Sequence, residues 1–311
     1  MSSNSYTETG PSPRTGLSGA PANLRRRRRP AESVIKAVLF VSAFLSVAIT
    51  FGIVFALAEP VFQFFREVPF GEFFATEGDF AVLPLVVATL VVTVIALLVA
   101  VPLGLGAAMY LSEYASARVR KIFKPTLELL AGVPSVVYGF FALVFITPTL
   151  LQDILNLKVG FTNALAAGLI LGVMIIPTIA SLAEDALTAV PRALRQGSFA
   201  MGANRMQTTL RVVFPAALSG IAAAVVLGLS RAIGETMIVA LAAGSQKNLS
   251  IDPREGMQTM TGFIAQTAGG ENPVGSTDYN MLFAVGALLF VMTLVINIIS
   301  ISIVRRYRQA Y

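Results

Sequence analysis

The chain has 311 residues, 55% of them hydrophobic and only 13% charged, with a mean hydropathy of +0.75. Soluble domains carry about a quarter charged residues, so this composition points to an integral membrane protein. With no Cys and no His, disulfides, thiolate metal sites and imidazole catalysis are excluded. The net charge of +6 is no nucleic-acid signal, because most of the basic excess falls at one face of the membrane.

Residues 1–30 are rich in Ser, Thr, Pro and Gly and carry five arginines, Arg25 to Arg29. Such a segment cannot bury a core and reads as a disordered, Arg-rich cytoplasmic tail. The arginine run suits anionic lipid headgroups better than nucleic acid. Val34 to Ala58 is the first candidate span, long enough to cross a bilayer. Its end, Ala56-Leu57-Ala58, imitates a signal-peptidase site. The apolar run exceeds a signal h-region, so an uncleaved anchor is expected.

The second span is expected from about Phe80 to Ser112 and the third from about Thr126 to Leu151, with Gly132, Pro134, Ser135 and Gly139 in its first half. Small residues and a proline inside a membrane helix signal close packing or a kink. Span four covers about Thr162 to Leu182, span five about Pro215 to Ala243, and span six about Asn280 to Val304. A polar segment, Ser245 to Asp278, joins the last two. Of the Lys and Arg residues, 18 then fall on one side of the membrane and four on the other, with Arg231 inside a span. The positive-inside rule makes this an all-α membrane protein of six transmembrane helices with both termini cytoplasmic. In domain terms, a six-helix permease domain at 31–311 follows the tail, with a cytoplasmic loop at about 183–215 and an extracytoplasmic loop at about 245–279.

Two stretches carry the functional signal. In the first, Pro191 suits a first helical turn, Arg192 to Met201 can form about three turns, and Gly202 can end them. Thr208 or Thr209 can cap the next rise. A helix–glycine–helix element on the cytoplasmic face and a simple interfacial anchor are both open readings. In the second stretch, Arg231 lies 16 residues beyond Pro215, about 24 Å along a helix. A central Arg costs about 2.5–3.5 kcal/mol to insert. Glu235, four residues on, shares its helical face and can pair with it. That pair is either a structural tie or an anion pathway in which Glu235 holds the arginine until substrate arrives; an Arg fork suits a phosphate-like oxyanion.

The loop resembles the coupling loop of ABC importer permeases, E-A-A-x-x-x-G followed by nine residues and I-x-L-P. Here it reads Gln196-Gly197-Ser198, three residues, Gly202, nine residues, Val212-Val213-Phe214-Pro215. Gln196 replaces the family's glutamate. Arg231-Ala232-Ile233-Gly234-Glu235-Thr236 resembles the R-A-I-G-E-T motif of Pst-type phosphate permeases. Tyr110-Leu111-Ser112-Glu113-Tyr114, the stretch Gly132 to Gly139, Gln258-Thr259-Met260-Thr261 and Phe283-Ala284-Val285-Gly286 resemble their PstC branch. The likeness covers about Leu83 to Tyr311.

The resemblance implies the type I ABC importer permease fold and inward translocation of inorganic phosphate. It implies a substrate pathway at Arg231 and Glu235, and an ATPase-coupling loop at Gln196, Gly197, Ser198, Gly202 and Pro215. The implied partners are a homologous PstA-like permease, two ATPase subunits and an extracytoplasmic phosphate-binding protein. They would work in a bacterial or archaeal inner membrane, among its lipids and with no nucleic acid. No G-x-x-x-x-G-K-[ST] loop occurs, so ATP is expected on a partner subunit, with no cofactor, metal or catalytic residue on this chain. For Glu128 and Ser135 a place on the pathway and a packing role are both open, with packing favoured. The rival readings are a sulfate or molybdate permease, an ion-coupled secondary transporter and a structural scaffold.

Overall fold

The computed structural model describes residues 30–306, and every regular element among them is helical. The Arg25–Arg29 tail lies outside the described residues. The chain divides at Val54 into two units. The first contributes part of α1 (Pro30–Glu67), and its side chains from Glu32 to Val54 are all exposed, as suits lipid contact. The second unit begins at Phe55 and holds everything that follows.

Within it, the last turns of α1 run past the expected end at Ala58. Phe64 explains the extension. It is fully buried, edge-on to Phe73 of the short α2 (Phe70–Phe73) and to Phe80, at ring separations of 5.5 and 5.8 Å. Such aromatic pairs hold the turns beyond Pro60 in place.

The frame of the second unit is the contact between α3 (Leu83–Met109) and α6 (Ala164–Thr188). Ala88, Val92, Ala96 and Ala100 of α3 meet Ala167, Ile170, Leu171 and Met174 of α6 in the main core. Gly172 marks a close approach of the two helices. A Cβ built there would lie 2.8 Å from the Ala96 carbonyl oxygen and 2.9 Å from Val99 Cβ. Small residues permit this approach, which in a membrane supplies the packing that the hydrophobic effect cannot.

The expected third span proves to be two helices. α4 (Ala117–Ala131) stops at Gly132, and α5 (Ser135–Phe141) starts after Pro134, then continues as a π-helical stretch to Ile154. Pro134 disfavours helical geometry at Val133 and so separates the two. α4 has no buried residue; its polar side faces α6 and its apolar side is exposed. Pro148, which has no N–H to give, lies inside the π-helical stretch.

After α6 come α7 (Arg192–Ala200), α8 (Arg205–Thr208) and α9 (Phe214–Ile233), the last two joined through a π-helical turn at Thr209–Val213. The fifth span ends at Ile233, earlier than expected, and α10 (Met237–Ala242) follows a break. The polar connection folds into α11 (Met260–Ala268), whose first four residues are buried. α12 (Thr277–Arg306) closes the described chain. Six helices among the described residues are long and apolar enough to cross a membrane.

Candidate functional site: an arginine at a helix break and a tethered loop

Arg231 occupies the last turn of α9. Its Nη1 donates to Thr178 Oγ1 at 3.5 Å. Thr178 is the fifteenth of the 25 residues of α6, so the guanidinium sits level with the middle of a spanning helix. Arg231 itself lies two residues from the end of its own spanning helix, Arg205–Ile233. The expected pairing with Glu235 is not made.

Glu235 lies outside α9, in the break formed with Gly234 and Thr236. Its Oε1 accepts the backbone N–H groups of Met237 (3.1 Å) and Ile238 (3.4 Å), capping α10. Among the described residues, Arg231 makes no ion pair. Two local causes produce the break. Gly234 favours leaving the helix, and Thr261 of α11 donates to the Glu235 carbonyl oxygen at 2.6 Å, giving it a partner from outside the helix. The residue before Arg231, Ser230, donates to Asn297 Oδ1 of α12 at 2.6 Å. The partner of the guanidinium among the described residues is the neutral Thr178 hydroxyl.

The opposite arrangement rules at the basic end. Glu184 of α6 is 1% exposed and takes Arg120, and also Lys124 at 2.8 Å, both from α4. Lys124 reaches Asp185 too. Its hydrogen bond to Asp185, then that to Glu184, raises the Lys124 amine above its ordinary value of 10.5. Sequence reading passed over this network, although Glu184-Asp185 is an acidic pair closing a span that ends among basic loops.

The loop forms a helix–glycine–helix, one of the two readings open from the sequence. Pro191 precedes α7, and Gly202 turns the chain with φ of +83°, a conformation that favours glycine. The cap of the following helix is Asn204, not a threonine. Its side chain accepts from Gln207 N while the Gln207 side chain accepts from Asn204 N, a complete capping box. Ser198 and Thr208 hydroxyls bond across the turn at 2.9 Å. Gln196 and Gly197 are exposed. Pro215 is exposed in the first turn of α9, directly after the π-helical turn that its missing N–H accommodates. The tip is apolar: Phe199, Met201 and Met206 are all exposed, Met201 at 88%. An exposed apolar cluster on a rigid turn marks a contact surface.

A family model described as "binding-protein-dependent transport system inner membrane component" matches residues 100–310. The chain belongs to that family. It is 36% identical over 266 residues to the phosphate transport system permease protein PstC 1 of Mycobacterium tuberculosis, covering 76% of this chain and 78% of that one. It is 38% identical over 221 residues to the probable ABC transporter permease protein YqgH of Bacillus subtilis, covering 70% of each. Among solved structures, a chain of a bacterial ABC transporter that imports alginate superposes with a TM-score of 0.62 at 20% identity, covering 90% of this chain and all of that one. A chain of the methionine ABC transporter MetNI, inward facing, gives 0.54 at 23% identity over 73% of this chain and 94% of that one. The fold is that of type I ABC importer permeases, and the chain is a multi-pass membrane permease subunit rather than the catalytic part of its transporter.

Proposed function

We propose that this chain is the transmembrane permease of an ATP-driven importer of inorganic phosphate, with Arg231 as the anion's station inside the membrane. The observation that carries the reading is the unpaired arginine at mid-span. A guanidinium in low dielectric is costly, and nothing charged among the described residues offsets it. A doubly charged oxyanion in transit would offset it through two parallel hydrogen bonds. Thr178 beside it offers a further donor. Glu235 shapes the station by fixing the break and the start of α10 rather than by holding Arg231. The relatives named as phosphate permeases support the choice of anion.

The importer needs ATP from another chain, and the apolar tip at Phe199, Met201 and Met206 suits a groove on an ATPase subunit. The 18-to-four distribution of basic residues supports cytoplasmic termini and puts this tip inside a bacterial or archaeal cell. On this reading two ATPase copies, a homologous permease and an extracytoplasmic phosphate-binding protein complete the complex. Delivery outside and ATP-driven closure inside would alternate access to Arg231.

The test is uptake of labelled phosphate at micromolar concentration in cells lacking this chain, with and without complementation. Restored uptake that excess sulfate leaves untouched is the expected result. Uptake inhibited by sulfate would reassign the cargo, and uptake indifferent to deletion would overturn the reading.

A further inference from the structure

The segment Tyr110–Tyr114 continues α3 as a π-helical turn and has no part in the function proposed so far. It holds two residues that reach the loop. Glu113 Oε1 accepts from Arg195 Nη2 at 2.9 Å and from Arg195 Nε at 3.2 Å. The same guanidinium donates to the carbonyl oxygens of Leu187 (2.8 Å) and Val190 (2.5 Å), which end α6 and open the turn into α7. Both side chains are largely buried, Glu113 at 8% and Arg195 at 17% exposure. One residue on, the Tyr114 ring lies 5.9 Å from the Arg205 guanidinium carbon of α8. The helices on either side of Gly202 are therefore each held by the same short segment of α3.

From this geometry we infer that Arg195 and Glu113 form the mechanical tie through which movement of the loop is passed to the α3–α6 frame. The inference rests on the importer reading above. Three features support it. Arg195 makes four hydrogen bonds to three acceptor oxygens, those of Glu113, Leu187 and Val190, which a surface ion pair does not. A partly buried, multiply bonded guanidinium has one well-defined geometry and so moves with its partners as a body. And α3 is packed on α6 at Gly172, while α6 carries Thr178, the contact of Arg231. The chain of contacts from the apolar tip to the mid-membrane arginine is thus continuous. The tie also supplies a carboxylate to the loop from elsewhere in the chain, where Gln196 leaves the loop's own position neutral. Arg195 and Glu113 are positioning residues; neither touches substrate.

The test uses the complete importer in proteoliposomes, with phosphate imported per ATP hydrolysed as the readout. Glu113→Gln and Arg195→Gln are expected to keep the ATPase subunits bound and hydrolysing, while import per ATP falls about tenfold, within the usual range of coupling between sites. Arg195→Lys, which keeps the charge, is expected to recover part of the loss. An unchanged ratio in both Gln variants would overturn the inference. So would loss of the ATPase subunits from both, which would make Arg195 part of the docking face. Wild-type vesicles that import no phosphate would refute the importer reading separately. The tie is then read from amide exchange across Arg192–Ala200, which Glu113→Gln must accelerate; unchanged protection would refute it.

Discussion

The two charged regions of this permease obey opposite rules. At the basic end, Arg120, Lys124 and Arg195 all meet carboxylates, and two of those, Glu184 and Glu113, are nearly inaccessible. At mid-span, Arg231 meets a threonine hydroxyl at 3.5 Å, and the carboxylate four residues away is committed to two backbone N–H groups. The first pattern locks helices together. The second leaves a half-buried cation short of a counter-charge, which is tolerable where a passing anion supplies one. On the proposed function, charge serves structure in one place and cargo in the other.

This contrast gives opposite signs under mutation. The largest expected effect on stability comes from Glu184→Ala. It removes the inaccessible partner shared by Arg120 and Lys124, and hydrogen bonds to charged groups contribute about 1.5–3 kcal/mol each. A markedly lower unfolding temperature in detergent is the expected result, with transport per folded molecule much less affected. Next comes Gly172→Ala, in which the new methyl meets backbone oxygen rather than a mobile side chain. Overpacking of this kind costs about 1–3 kcal/mol. It should lower the unfolding temperature and uptake together, since α3 and α6 support both regions.

The smallest effect is a pH dependence. The folded state raises the Lys124 amine, so its contribution is fully present below 10.5 and is lost as pH rises through the folded value. Unfolding temperatures measured across alkaline pH should fall more gently in Lys124→Met than in wild type. Identical slopes would show that the pair contributes nothing to the lock.

Much of this was legible in the sequence. Long apolar runs place the second, fourth and sixth spans to within several residues at each end, and Pro191 and Gly202 bracket the first helix of the loop. What escaped depends on contacts between distant residues. α4 and α5 read as one apolar stretch because hydropathy does not register the Pro134 stop. The Arg231–Glu235 pair looked secure at helical spacing, but Thr261, 26 positions beyond Glu235, takes the carbonyl and turns the carboxylate into a cap. Arg195 and Glu113 are separated by 82 positions, so no local pattern joins them.

On the proposed function, Arg231 serves the anion rather than the fold. The measurement is phosphate uptake and unfolding temperature, side by side, for wild type, Arg231→Met and Glu235→Gln. Truncating a desolvated charge partner costs about 2–5 kcal/mol of recognition, so Arg231→Met should cut uptake by about a hundredfold or more. Its unfolding temperature should equal or exceed that of wild type, while Glu235→Gln should retain measurable uptake. An Arg231→Met protein that transports normally, or that loses stability in step with transport, would contradict that role for Arg231.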